Sequence, residues 1–460
     1  MDRSIFRAYS IRGVVDETLT APDMQRIGQA VGTMLDSTDA AVVVGHDHRI
    51  HSQGLTEALA RGLLSTGTDV ISIGACPTPL LNYATDHYSV TAGLMVTASH
   101  NPPRYNGLKI RTDHTLRGSE IQEIYDRCLH GPFDHGEGTL SHQNPSGTYV
   151  GAILHRAQLA RPLRVVVDAG NGAAGPIVPP LLTQMGCEVV KVDCTPDGLF
   201  PNRVPDPTAP GALDGLADRV RSEQADIGLA YDGDGDRLAA VDKTGRVVLG
   251  DFVLALLALD LLAQSPGETV VYELACTQAL PEAIQHAGGI AVPCPVGYAF
   301  VHEKMRETGA ALGGESAGHI FFRDEAFLFD DAVLASARLL ALLSRSDRTF
   351  SGLLDELPQY VPSDKYRIHC PEEAKSDVIA HLLRFFTQQG RRIETLDGCK
   401  VYWTDQGAED AYGWALVRPS NTEPAVTLRC EARNQTQLQK IEQTMRDALD
   451  SALRAYGVAI

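Results

Sequence analysis

The run Tyr231-Asp232-Gly233-Asp234-Gly235-Asp236-Arg237 sets three carboxylates at alternate positions with glycines between them. Spaced in this way, the three can fold back onto one hard cation through oxygen, and the glycines permit the tight backbone that this requires. A calcium loop of the EF-hand kind also opens on alternating acids. It needs Gly at its sixth position and Glu at its twelfth, and those positions are Arg237 and Lys243. Arg237 suits an anionic group bound beside the metal, as in phosphoryl transfer. An acidic surface turn is the plain alternative, but a turn needs neither the spacing nor the arginine.

A second stretch, Leu94-Met95-Val96-Thr97-Ala98-Ser99-His100-Asn101-Pro102-Pro103, runs an apolar strand into a small-residue turn that two prolines keep from becoming a helix. Ser99 is thereby presented at a strand end, with His100 beside it and Lys109 downstream. Taken alone this is a turn with an ordinary hydroxyl. A serine nucleophile needs a base, an oxyanion partner or a metal, and the aspartate loop could supply the metal across a cleft. The third stretch, Arg418-Pro419-Ser420-Asn421-Thr422-Glu423-Pro424, combines a guanidinium with Ser, Asn and Thr donors, a set suited to three phosphate oxygens. The fourth, Gly313-Gly314-Glu315-Ser316-Ala317-Gly318-His319, offers Glu315 as an acceptor for paired hydroxyls, as on a sugar. Near the start, Phe6-Arg7-Ala8-Tyr9-Ser10-Ile11-Arg12-Gly13 adds two arginines on a short aromatic segment.

The elements that must position these residues are those of an α/β protein, with short β-branched runs alternating with longer helical stretches. Ala41-Val42-Val43-Val44-Gly45, Arg164-Val165-Val166-Val167-Asp168 and Thr269-Val270-Val271-Tyr272-Glu273 resemble one another and begin about 105 to 125 residues apart. That interval suits three copies of one α/β domain rather than a solenoid. Phe252 to Leu262 reads as a buried helix opened by Gly250-Asp251 and closed by Ser265-Pro266-Gly267. Strands at Trp414–Val417 and Ala425–Cys430, and a helix with Leu438, Ile441, Met445, Leu449 and Leu453 at helical spacing, indicate a fourth, smaller α+β domain. The expected divisions are 1–144, 145–246, 247–361 and 362–460.

A chain of 460 residues exceeds one core and implies several domains. Its formal charge of −18 repels nucleic-acid backbones and anionic membranes, so neither is an expected partner. An anionic substrate then requires locally gathered Arg and Lys. The nine cysteines include no C-x-x-C pair and read as reduced thiols. The first residues carry no apolar signal core and no stretch approaches the length of a membrane span, which sets the expectation of a soluble, cytoplasmic protein.

In order along the chain, FRAYSIRG (6–13), TASHNP (97–102), DGDGDR (232–237), GGESAGH (313–319) and RPSNTEP (418–424) resemble the α-D-phosphohexomutase superfamily, most closely its bacterial phosphomannomutase/phosphoglucomutase group. The resemblance implies a four-domain, heart-shaped fold: three related α/β domains and a smaller C-terminal α+β domain around a central cleft. It implies an intramolecular phosphotransferase that interconverts hexose 1-phosphate and hexose 6-phosphate, of mannose and/or glucose, through phosphoserine at Ser99 and a hexose 1,6-bisphosphate. It implies Mg²⁺ held by Ser99, Asp232, Asp234 and Asp236. Arg12, Lys109, Arg237 and His319 would surround the reacting phosphoryl, Glu315 would grip sugar hydroxyls, and Arg418, Ser420, Asn421 and Thr422 would hold the other phosphate. The partners implied are small sugar phosphates, with the chain a monomer or homodimer.

The family pattern is departed from at Gly45-His46-Asp47-His48-Arg49, at Ala275, at Pro295-Val296-Gly297-Tyr298 and at Ala317. Tyr298 and Ser316 are the residues expected to take over the lost sugar contacts. Phosphoglucosamine mutase, a Mg²⁺-dependent sugar phosphatase and an inactive binding protein are the competing readings.

Overall fold

The structure, a computed structural model, describes residues 1–35, 40–324, 326–404, 411–420 and 424–458. The three β-branched runs occupy one and the same place in three sheets. Strand Ala41–His46 pairs in parallel with Asp69–Ala75 on one side and Ala92–Val96 on the other. Arg164–Asp168 lies in the same way between Glu188–Val192 and Ile227–Tyr231, and Thr269–Glu273 between Ile290–Cys294 and Leu312–Gly314. Covered on both faces, these central strands read as continuous apolar runs: Val42 to Val44, Val165 to Val167, and Val270 with Val271 have no exposed surface.

In each sheet the chain then reverses direction. Ala92–Val96 turns back into antiparallel Tyr105–Arg111, Ile227–Tyr231 into Leu238–Asp242, and Leu312–Gly314 into Ile320–Phe322. The turns of these three hairpins are the Ser99 segment, the aspartate loop and the Glu315 loop. All three therefore leave the carboxyl ends of parallel strands, where ligands gather in open α/β sheets. The fourth sheet is antiparallel in all its pairings, and its hairpin Ala411–Pro419 and Ala425–Ala432 carries the Arg418 segment at its turn.

Packing decides which loops are fixed relative to one another. One core runs without a break through residues of the first three sheets, from Leu80 and Met95 through Val165 and Tyr231 to Val270 and Leu334. Helix Gly250–Gln264, capped at Ser265 as its sequence predicts, lies within it. The fourth sheet shares a separate core with helices Lys375–Gln388 and Gln435–Ala455, the latter burying Leu438, Ile441, Met445, Leu449 and Leu453. A small cluster of Leu274, Trp414 and Leu416 joins the third sheet to the fourth. Strand Val247–Val248 still belongs to the second sheet, pairing with Ala240 and Val241. None of the nine cysteines is in a disulfide, and no helix among the described residues is long and apolar enough to cross a membrane.

Candidate active site

Ser99 ends its strand in a left-handed backbone conformation, φ 49°, which costs a non-glycine residue about 1–3 kcal/mol unless its surroundings hold it. The hold comes from the buried pair of Asp47 and Arg49, joined at 3.0 Å. Arg49 donates to the carbonyls of Ser99, Asn101 and Pro102 at 2.7, 2.6 and 2.8 Å, so one guanidinium ties the whole turn down. Asp47 accepts from the Thr97 hydroxyl, which in turn accepts from the Ser99 backbone N–H at 2.8 Å. The segment that departs from the family pattern around His46 thus keeps the two residues that build the serine loop.

The aspartate loop closes against this turn. Gly233 approaches so near that a Cβ there would stand 2.5 Å from the Ser99 carbonyl oxygen, which makes glycine obligatory at that position. Asp232 accepts three backbone N–H groups, from Gly235, Asp236 and Arg237, at 3.1, 3.2 and 3.3 Å on one oxygen. Its other oxygen accepts the Ser99 hydroxyl. Asp234 accepts from the Thr78 hydroxyl and from Lys109 Nζ, both at 2.7 Å, and Lys109 also reaches Asp236 at 2.5 Å.

All three aspartates are buried, and one oxygen from each lies within 4.8 Å of the others. Burial pushes the Asp232 carboxyl well up, with repulsion from Asp236 and Asp234 adding to it. Burial also raises Asp234, but the contact with Lys109 outweighs it and leaves this carboxyl well below its usual range. Asp236 is raised by burial and by Asp234. Oδ1 of Asp234 and Oδ1 of Asp236 are buried without a hydrogen-bond partner. Unpartnered buried carboxylate oxygens are costly, and two of them beside a third carboxylate, with oxygen donors alone, fit a hard divalent cation such as Mg²⁺.

The Glu315 loop brings a second set of groups. His319 Nδ1–H donates to Asp330, 2.5 Å away, and stands 3.8 Å from Asp236. Burial opposes a charge on this ring, yet Asp236 and Asp330 hold its pKa up at about 9. Arg237 Nε–H points at His319 Nε2 at 3.0 Å, a bond open only to the ring with that nitrogen unprotonated. The two protonation states of His319 therefore differ in whether Arg237 is engaged, and Nε2 is the atom at which a proton can be exchanged. Glu315 is pushed up to about 7 by burial and by Glu273 nearby. Ser316 is committed to Glu273, which accepts both its hydroxyl and its backbone N–H, at 2.5 and 3.1 Å. Tyr298 stacks on His319 with ring centres 5.1 Å apart, and its hydroxyl is buried.

Arg12 donates to Asn101 at 2.7 Å, which places a cation over the serine turn. Arg418 is aimed by Asp397, whose Oδ2 accepts from Arg418 Nε at 2.7 Å and from the Val296 backbone at 2.9 Å. The Ser420 backbone N–H is bonded to Ala425, and its carbonyl accepts from Lys375 at 2.8 Å. Asn421 and Thr422 lie outside the described residues.

The chain was compared with known proteins. Models of the phosphoglucomutase/phosphomannomutase family match it in four successive pieces: α/β/α domain I over residues 3–134, domain II over 148–245, domain III over 249–361 and the C-terminal domain over 366–448. The chain belongs to the phosphoglucomutase/phosphomannomutase family. Among its curated relatives is phosphomannomutase/phosphoglucomutase of Pseudomonas aeruginosa, 39% identical over 98% of this chain and 97% of that one. Phosphoglucomutase of Neisseria gonorrhoeae is 37% identical with the same coverage. A crystal structure of a phosphoglucomutase/phosphomannomutase family protein from Burkholderia thailandensis superposes with a TM-score of 0.92 at 37% identity, covering 100% of this chain and 99% of that one.

Within this family architecture the first three sheets bring Ser99, Lys109, the three aspartates, Arg237, Glu315 and His319 to one place. Five residues that support the site were not singled out from the sequence: Asp47, Arg49, Thr78, Asp330 and Asp397. Asp330 directly precedes the Asp331 helix cap and Asp397 lies in an ordinary turn, so neither carries a local signal.

Proposed function

We propose that this phosphoglucomutase/phosphomannomutase-family enzyme interconverts the 1- and 6-phosphates of mannose and/or glucose. A phosphoryl group carried on Ser99 and a hexose 1,6-bisphosphate intermediate are part of the proposal. The observation that carries it is the junction of Ser99 with the aspartate loop, walled by cations in a chain of net charge −18. Lys109, Arg12 and Arg237 stand around that junction and Arg418 lies on the fourth sheet, so cations are available for two separate phosphates. A bisphosphate with a phosphate at each end needs that arrangement.

Asp232, Asp234, Asp236 and an oxygen on Ser99 would hold Mg²⁺, which would supply charge neutralisation at the transferring phosphoryl. Lys109 holds Asp234 and Asp236 adjacent and favours the ionised form of each. In the forward half-reaction the hexose hydroxyl oxygen bonds to phosphorus as the bond from Ser99 Oγ breaks; Ser99 Oγ keeps the bonding pair and takes up a proton, returning to the hydroxyl that donates to Asp232. The hydroxyl proton passes to His319 Nε2 in its neutral state, which releases Arg237 Nε to pair with the phosphoryl oxygens. Glu315 orients the sugar through its hydroxyls, with Ser316 fixed behind it by Glu273. Arg418 and Ser420, together with Asn421 and Thr422, hold the phosphate that does not react. After the bisphosphate reverses in the cleft, the same steps run backwards with its other phosphate.

The test is a parallel assay of mannose 1-phosphate, glucose 1-phosphate and glucosamine 6-phosphate, with products and inorganic phosphate followed by ³¹P NMR. Isomerised mannose or glucose phosphate, abolished by chelator, is expected. Steady phosphate release without isomer would make the protein a phosphatase, and turnover of glucosamine 6-phosphate alone would make it a phosphoglucosamine mutase.

A further inference from the structure

In the fourth sheet, strand Tyr366–His369 runs antiparallel to Ala425–Ala432, with Tyr366 opposite Leu428 and Arg367 opposite Thr427. Residues alternate between two faces along a strand, and directly opposite residues share a face. Leu428, Val426 and Tyr366 pack on the side of the two helices. Arg367, Thr427 and Arg429 therefore stand on the other face, toward the third sheet, where Arg429 donates to the Ala275 carbonyl at 2.7 Å. On that face Thr427 lies opposite Arg418, Arg429 opposite Leu416, and Leu416 opposite Lys400. Continued by one residue, the register of Tyr366–His369 sets Lys365 opposite Arg429. One sheet face thus gathers five cations.

Four of the five are engaged. Arg429 has the Ala275 carbonyl and stands 3.6 Å from Asp251. Lys400 is buried, donates to the Leu274 carbonyl at 2.7 Å and lies 4.0 Å from the centre of the Trp414 ring. Arg418 is held through Nε by Asp397, and Arg367 is likewise not free. Lys365 makes no hydrogen bond or ion pair among the described residues. It is open to solvent, yet protein surrounds it closely enough that desolvation lowers its pKa; Glu273 opposes this, and Arg367, Arg429 and Arg418 add to it. The ammonium therefore stands between Glu273, which holds the sugar loop at Ser316, and Arg418 on the phosphate segment. Glu273 is buried and already bonded to Ser316. An unpaired ammonium among three guanidiniums repels them until an anion enters, and a phosphate monoester carries nearly two negative charges at pH 7.

We propose that Lys365 is a further substrate-binding residue, whose ammonium contacts the phosphate that does not react, on the side opposite Arg418 and nearer the sugar. The inference rests on the hexose phosphate reading above. Lys365 follows Val361–Pro362, which pairs with Ala432 and Glu431, so it sits where the chain passes from the core that holds Leu357 to the core that holds Cys370. A phosphate shared by Lys365 and Arg418 is therefore gripped from two separate strands, at the entry to the fourth sheet and at its hairpin turn. The contact serves ground and transition states alike, because this phosphate is not transferred.

The experiment titrates glucose 1-phosphate into full-length Ser99→Ala protein by calorimetry, so that binding is read without turnover, and repeats it with Lys365→Met or Lys365→Arg added. Steady-state kinetics of Lys365→Met with Ser99 intact complete it. The methionine variant is expected to bind about tenfold more weakly and the arginine variant within about threefold of the parent. KM should rise about tenfold in Lys365→Met with kcat within about twofold. The ligand-free thermal midpoint should not fall, since Lys365 has no partner to lose. Unchanged affinity in Lys365→Met overturns the proposal, as does an arginine variant as weak as the methionine one. A fall in kcat at constant KM, or a lower ligand-free midpoint, overturns it too. If the Ser99→Ala parent binds no hexose phosphate, the proposed function fails and this inference with it; if the parent binds and Lys365→Met matches it, only this inference fails.

Discussion

The Ser99 hydroxyl lies 2.8 Å from Oδ2 of Asp232, a residue 133 positions further along the chain. Two hairpin turns from different sheets are thereby joined at one buried atom pair. The common core beneath them makes the distance a property of the fold rather than of a passing loop geometry.

Lys109 bridges two buried carboxylates, so its loss takes the ammonium from both and leaves Asp236 only the more distant His319 ring. Lys109→Met is expected to destabilise the metal-free protein by about 3–5 kcal/mol, the cost of breaking a buried pair. Adding Mg²⁺ should then raise the thermal midpoint of the variant more than that of the wild type, because the cation relieves the same repulsion. Equal shifts in the two proteins would contradict this.

Arg418 is aimed by Asp397, and both lie outside the core that fixes the other three loops. Arg418→Ala is expected to raise KM for the hexose phosphate by about 10- to 100-fold, the worth of a charge-assisted contact. Asp397→Ala should raise it by less, about tenfold, with kcat changed little in either variant. Steady-state kinetics check this; a fall in kcat at constant KM would show that Arg418 acts on the reacting phosphoryl.

Asp331 caps helix Ala332–Arg345, accepts from the Tyr149 hydroxyl at 3.0 and 2.9 Å, and has no exposed surface. Burial pushes its carboxyl up to about 7. Between the ordinary carboxylate range and that value the folded protein holds a proton that the unfolded chain has released. The stability contributed is thus complete below the ordinary range and lost as pH rises through about 7, in total roughly 4 kcal/mol at most. Asp331→Asn keeps an amide oxygen at the cap and cannot titrate. The difference in thermal midpoint, variant minus wild type, is expected to grow from about pH 5 to about pH 8. A constant difference over that range would refute the assignment.

What the sequence revealed was what local pattern can encode. The three valine-rich runs announced equivalent strands, and the spacing of Asp232, Asp234 and Asp236 announced a cation loop. The helices at Gly250–Gln264 and Gln435–Ala455 followed from apolar periodicity and breakers. The supports of the site are long-range pairings and leave no such pattern. Arg49 reaches Ser99 over 50 positions, Asp397 meets Val296 over 101, and Glu273 holds Ser316 over 43. Tyr298 shows the limit most plainly. Its place in the chain suggests a sugar contact, while the ring contacts with His319 and Tyr9 that set its position come from other segments and carry no local pattern.

The most direct test is peptide-level mass spectrometry of the protein after incubation with glucose 1,6-bisphosphate and Mg²⁺. One phosphate on Ser99 is expected, discharged by mannose 1-phosphate or glucose 1-phosphate and absent from Ser99→Ala, which should be inactive. A phosphate found on another residue, or full turnover by Ser99→Ala, would contradict the account.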